Sequence, residues 1–152
     1  MYDSVTVRMA APAGKIWELV SDITNTGRFS PETFGAEWLG GATAPAVGVK
    51  FRGHVNRNGW GLKYWTVCRI DACRPGREFA FTVLGPRGMA VNTWSYRFET
   101  VEGGTDVTES FRLADIIPLR LYWLVAGRAR GRTNRDGMRE TLNRIKGFVE
   151  QE

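Results

Sequence analysis

The chain has 152 residues, 43% hydrophobic and 24% charged, which is the size and balance of one domain with a substantial core rather than of a disordered or fibrous chain. We therefore read residues 1–152 as a single unit. The formal charge of +5 permits contact with nucleic acid or an anionic membrane without requiring either.

The opening stretch MYDSVTVRMAAP has no basic n-region followed by an apolar run, so no signal peptide is read there. SVTVRM alternates as a strand does. Pro12 then opens a helical stretch, APAGKIWELVSD, with Ile16, Trp17, Leu19 and Val20 on its apolar side. A second short helical or irregular piece, ITNTGRFSPE, is closed by Pro31.

From about residue 34 the period switches to two. AEWLG leads into the loop GGATAPAVG, and KFRGHV and LKYWTVCRIDA form a hairpin around Asn58-Gly59. RPGR turns the chain into EFAFTVLG, and VNTWSYRFETV meets TDVTESFRLAD across Glu102-Gly103-Gly104. After Pro118 the spacing is helical almost to the end. The longest apolar run, Ile116 to Ala126, is broken by Pro118 and Arg120 and is too short to span a bilayer. One strand, two helices, six strands and a long helix imply an α+β fold with an antiparallel sheet curled around the last helix.

The expected inner face holds Phe51, Gly53 and Val55, then Tyr64, Thr66, Cys68 and Ile70. The later strands add Phe79, Phe81 and Val83; Trp94, Tyr96 and Phe98; and Val107, Glu109 and Phe111, with Asn92 beside them. Aromatic walls with a few polar groups are what small-molecule sites use. The competing reading is a packed core of satisfied tyrosines, with Trp17 and Trp94 as fillers.

AGRARGRTNRDG, Ala126 to Gly137, decides between a flexible basic arm and a thinned helix. On a wheel of about 100° per residue, Met138, Leu142, Ile145 and Val149 form a buried stripe. Followed upstream, that stripe passes Asn134, Gly131, Gly127 and Leu124. The helix is therefore bulky at both ends of its inward face and bare in the middle, as a cavity requires. Arg128, Arg132, Arg135 and Arg139 make a separate basic stripe. Three readings of that stripe stay open: a solvated face, an anionic membrane contact beside IIPLRLYWLVAG, and nucleic acid. The last is disfavoured because no aromatics interleave with the arginines.

The chemical inventory is short. One His and two Cys do not supply a usual structural zinc site, and no metal or cofactor is expected. His54, between Gly53 and Val55, falls on the outer face. Cys68 and Cys73 lie five apart on one expected strand, which sends them to opposite faces and disfavours a bridge. Two reduced thiols fit a cytoplasmic protein. Glu109, between Val107 and Phe111, points inward, where burial raises its pKa unless a donor pairs it. Near Tyr64, Tyr96 or Asn92 it could serve as a general base; the alternative is a structural acid bonded to backbone or an arginine.

These pieces in this order resemble the START/Bet v 1-like superfamily, more narrowly its bacterial polyketide cyclase/dehydrase-type group. The segments that carry the resemblance are APAGKIWELVSDITNTGRFSP, VGVKFRG, CRIDACRPGREFAF, TWSYRFE followed by GTDVTESF, and the Arg- and Gly-rich final helix. HVNRNGWGLKYWT is slightly longer than the group's usual hairpin. The resemblance implies a helix-grip fold, in which a curved seven-stranded antiparallel sheet wraps a long C-terminal helix around a ligand cavity.

The residues together point to a carrier or binder of a small, mostly apolar ligand, lipid-like or polyketide-like. Phe51, Tyr64, Thr66, Phe81, Trp94, Tyr96, Phe111, Gly127, Gly131 and Asn134 are expected to line its site. One rival is a cyclase or dehydratase using Glu109. The other is a module that docks through Arg128, Arg132, Arg135 and Arg139 on a membrane or nucleic acid.

Overall fold

The computed structural model describes residues 2–56, 63–114 and 117–151, and the side chains of residues 63 and 117–133 lie outside that description. The alternating N-terminus forms β1 (Tyr2–Met9). Helix α1 (Ala13–Ser21) follows, with Pro12 as the residue before its first turn and Pro12 O accepting from Ile16 N at 3.3 Å. Asp22 then caps a single 3-10 turn, Ile23–Asn25, by accepting from Thr24 N at 3.1 Å. That turn leads directly into the short helix α2 (Thr26–Phe29).

Six strands follow: β2 (Thr33–Trp38), β3 (Lys50–Asn56), β4 (Lys63–Arg74), β5 (Glu78–Leu84), β6 (Ala90–Val101) and β7 (Gly104–Leu113). The final helix α3 spans Ile117–Glu150, so the Arg- and Gly-rich stretch is helix rather than a loose arm. All seven strands form one antiparallel sheet in the order β1-β7-β6-β5-β4-β3-β2. This is the expected helix-grip arrangement. The β3–β4 hairpin pairs Val55 with Tyr64, while its tip at Asn58-Gly59 lies outside the described residues.

The main core sits where α1 and the C-terminal half of α3 meet the sheet. Met9, Ile16, Ile70, Phe79, Val107, Leu142 and Ile145 are each at most 1% exposed. Leu142, Ile145 and Val149 continue the stripe read from the sequence, and they fill this end solidly. Gly27 lets α2 lie directly on β2. A Cβ there would sit 2.2 Å from Phe34 O, a backbone atom that cannot swing aside.

The structure corrects the reading of the cysteines. The β4–β5 register shifts between Ile70 and Ala72, and a bulge of this kind adds one residue and resets which side chains face inward. Cys68 pairs with Val83 and Cys73 with Phe79, so both thiols face the same side, not opposite ones. They are free. Five residues of strand separate them by roughly 16 Å, far beyond the reach of a disulfide.

Candidate functional site

Between the concave face of the sheet, the α1–α2 segment and α3 lies a cavity of about 370 Å³, within the usual range for small-molecule sites. Its sheet wall is aromatic. The Trp94 and Phe111 rings, opposite each other on β6 and β7, lie 4.8 Å apart. Phe51 meets Phe81 edge-on at 5.1 Å, and Phe79 lies 5.9 Å from Phe81. Thr66 and Cys68 from β4 and Asn92 from β6 add small or polar surface. Tyr64 also borders the space but is 41% exposed, so it belongs to the rim rather than the interior.

The helix wall is thin. Asn134, Gly137, Met138 and Thr141 line it. A Cβ built on Gly137 would meet no heavy atom within 4 Å. The Thr141 hydroxyl turns back to Gly137 O at 2.8 Å and so is already satisfied. Gly127 and Gly131, expected to be the bare centre of the helix, lie upstream on α3 outside the described side chains. Trp94 is part of the wall, whereas Trp17 is not among the described lining residues; its Nε1 donates to Glu78 O at 2.9 Å.

The third wall was not foreseen. Val20, Ile23, Thr26, Phe29 and the Ser30–Thr33 turn close the cavity opposite the sheet. Ile23 and Phe29 are buried, yet the segment changes from 3-10 to α geometry within a few residues, so no single period marks its inner face. Gly137 was missed for a related reason. It lies one turn after Asn134, at the edge of a stripe read as one residue wide.

Glu109 is the chemical centre of the wall. The β6–β7 register places it directly opposite Tyr96, so both side chains leave the sheet on the same face. Tyr96 Oη donates to Glu109 Oε2 at 3.1 Å. Glu109 Oε1 is buried without a hydrogen-bond partner among the described residues. Of the three neighbours expected for Glu109, the structure gives this bond to Tyr96, and among the described residues neither a backbone group nor an arginine holds it. Burial pushes the Glu109 carboxyl up to about 8, with the Tyr96 bond pulling the other way. Burial, and then the charge and hydrogen bond of Glu109, raise the Tyr96 phenol well above its usual range. Burial also pushes Cys68 up to about 12, leaving a neutral thiol rather than a nucleophile.

The remaining candidates lie apart from the cavity. His54 is on the outer face, its Nε2 3.4 Å from Glu37 Oε1 and its ring against Phe34. Arg135 is not a free member of the basic stripe, because its Nη1 donates to Asp3 Oδ2 at 3.0 Å. Arg139 is exposed, and Arg128 and Arg132 lie outside the described side chains. Among the described residues no cluster of His, Cys, Asp or Glu could hold a metal ion, and no helix is long and apolar enough to cross a membrane.

A family model described as "Polyketide cyclase / dehydrase and lipid transport" matches residues 4–150. No curated protein matches the sequence. Solved structures share the fold along nearly all of the chain. The Zhui aromatase/cyclase from Streptomyces sp. R1128 superposes with a TM-score of 0.69 at 20% identity, covering 99% of this chain and 94% of that one. The di-domain ARO/CYC StfQ from the steffimycin biosynthetic pathway gives 0.77 at 14% identity, covering 99% of this chain and 50% of its own. Ara h 8.0201 gives 0.64 at 15% identity, covering 100% and 99%. At these identities the likeness is one of fold.

Proposed function

The chain belongs to the family of polyketide cyclases/dehydrases and lipid-transport proteins, and from that premise we propose that it binds a small, mostly apolar molecule between its sheet and α3. The observation that carries this reading is the open space of about 370 Å³, faced by aromatic rings on one side and by Gly137 on the other. Protein interiors are close-packed, and a void of this size forfeits many dispersion contacts. A core built only for stability would place a side chain at Gly137. Phe51, Phe81, Trp94 and Phe111 supply apolar contact in this reading, while Thr66, Asn92, Tyr96, Glu109 and Asn134 supply polar groups.

Native and denaturing mass spectra of the protein purified from a host cell test the proposal. Extra mass present only under native conditions is expected, and Gly137→Phe, which puts a ring into the space, should reduce it. No extra mass in the wild type, together with no uptake from a panel of apolar compounds, would sink the binding reading.

A second reading is a cyclase or dehydratase, favoured by the Glu109–Tyr96 pair on the cavity wall. With its carboxyl holding a proton up to about pH 8, Glu109 would begin as a general acid toward a carbonyl or departing hydroxyl oxygen, rather than as the base expected from sequence. Glu109→Gln should then keep binding and lose turnover, whereas a carrier has no turnover to lose. Docking through the basic stripe is the weakest reading, since Arg135 is already engaged by Asp3. A cytoplasmic setting remains part of the proposal, and the two thiols, too far apart to bridge, are compatible with it.

A further inference from the structure

The face of the sheet turned away from the cavity is uneven. On β6 and β7 its positions include Thr93, Ser95, Arg97, Thr108 and Ser110, the polar set expected where a sheet meets water. Towards the other edge the register lines up Gly35, His54 and Trp65 across β2, β3 and β4. One rung further along, Arg52 faces Val67 and Val67 faces Leu84. The chain neighbours Ala36, Gly53, Thr66 and Val83 line the cavity, so these residues point outward. Phe34 joins them from the register shift between Thr33 and Gly35, its ring 5.9 Å from that of His54. Phe34 and Trp65 are each more than half exposed. An aromatic strip on the water side of a sheet adds nothing to the core and marks a surface for a partner.

The charges on the strip select the partner. Glu37 Oε1 lies 3.4 Å from His54 Nε2 and 3.6 Å from Arg52 Nη1. Both distances exceed the roughly 2.7–2.9 Å of a closed charge-assisted bond, and the Glu37 side chain is 54% exposed, so this acid can take a further cation. The Arg52 guanidinium lies 5.7 Å from the Trp65 ring, which joins the cation and the largest ring into one surface. Trp and Arg are the residue types that anchor protein interfaces. A lipid or nucleic-acid surface presents anions, which Glu37 would repel. An interface between identical copies about a two-fold axis instead needs one patch to supply both members of every pair. Glu37 and Arg52 together meet that need.

We propose that this strip is the face on which two copies of the chain pair, sheet against sheet, with Trp65 at its centre and Glu37 of each copy reaching Arg52 of the partner subunit. The cavity lies on the opposite side of the sheet, so the pairing is independent of what the cavity holds. Four strands make a strip roughly 15–20 Å wide. That belongs with the smaller interfaces, so pairing should be reversible with a Kd on the order of 10 μM.

Sedimentation velocity of the whole chain, from about 1 to about 300 μM, tests this. The mean mass should climb from one chain towards two across that range. Trp65→Ser should weaken pairing by roughly 10-fold or more. Glu37→Arg and Arg52→Glu should each weaken it too, because like charges then face each other across the axis. An equimolar mixture of those two variants should pair again, since one strip is then basic and the other acidic.

A wild type that keeps the mass of one chain up to the highest concentration would overturn the inference. So would a dimer that neither Trp65→Ser nor the charge reversals weaken, because it forms through another face. Wild type that binds vesicles of phosphatidylcholine and phosphatidylglycerol without self-association would overturn it in favour of a lipid surface. The concentration series uses the wild type alone, and recovery in the mixture separates a lost contact from a variant that folds poorly.

Discussion

In the unfolded chain Glu109 is an ordinary carboxyl with a pKa near 4.5, whereas in the folded protein it titrates at about 8. Below the lower value both states hold the proton and stability is at its fullest. Between the two values the unfolded state loses its proton and the folded state keeps it, so stability falls as pH rises, levelling off above 8. Each unit of separation corresponds to about 1.4 kcal/mol. Glu109→Gln removes this linkage. Its stability should match the wild type near pH 4 and exceed it by several kcal/mol, on the order of 3–5, above pH 8. Denaturant unfolding across that window measures the difference, and two parallel curves would show that Glu109 is not the titrating group. The inward direction of Glu109 was legible in the sequence from Val107 and Phe111 on either side. Its partner was narrowed to Tyr64, Tyr96 or Asn92 and no further, because Gly104 was counted within the turn. With Glu102-Gly103 alone as the turn and Val101 facing Gly104, counting back five residues on β6 and forward five on β7 brings Tyr96 to Glu109.

At the scale of elements, two glycines with opposite surroundings make opposite predictions. Gly137 sits in α3 facing open space, so Gly137→Ala should stabilise the protein by up to about 1 kcal/mol through helix propensity. Gly27 sits in α2 against the β2 backbone, where an added Cβ would lie 2.2 Å from Phe34 O and 2.7 Å from its carbonyl carbon. Gly27→Ala must push α2 away from the sheet and should cost about 1–3 kcal/mol. Thermal or chemical unfolding of the two variants checks both signs. The same contrast explains what the sequence could reveal. Strict alternation exposed the inner faces of β3, β5, β6 and β7, and that of β4 as far as the bulge after Ile70, which reversed the side of Cys73 without any mark in composition. The long regular helix exposed its stripe at Asn134 and Met138. The α1–α2 wall, with its change of helical geometry at Thr26, carries no comparable period.

For the whole molecule, the cavity lies between parts that the chain joins only at a distance. The C-terminal half of α3 is anchored on β1 and α1 by Leu142, Ile145 and Val149, while Asn134 and Gly137 stand over the space. The overall arrangement was readable in advance because six consecutive strands leave an apolar face that the final helix can cover. The size of the remaining gap was not, since it depends on how far α3 stands from the sheet. A ligand that fills the gap adds contacts to β4–β7, the α1–α2 segment and α3 together, and these contacts exist only in the folded state. At a free concentration 100 times its Kd it should stabilise the protein by about 2.7 kcal/mol, raising Tm by roughly 5–10 °C for a chain of this size. Gly137→Phe should fold with a Tm no lower than the wild type and show a smaller rise, because its ring occupies part of the site. Outer-face binding near Phe34 and Trp65, which are 52% and 64% exposed, would give a different pattern: Gly137→Phe would keep the full ligand-induced rise. Thermal scans of both proteins with and without methyl naphthyl ketone therefore separate occupation of the cavity from adhesion to the surface.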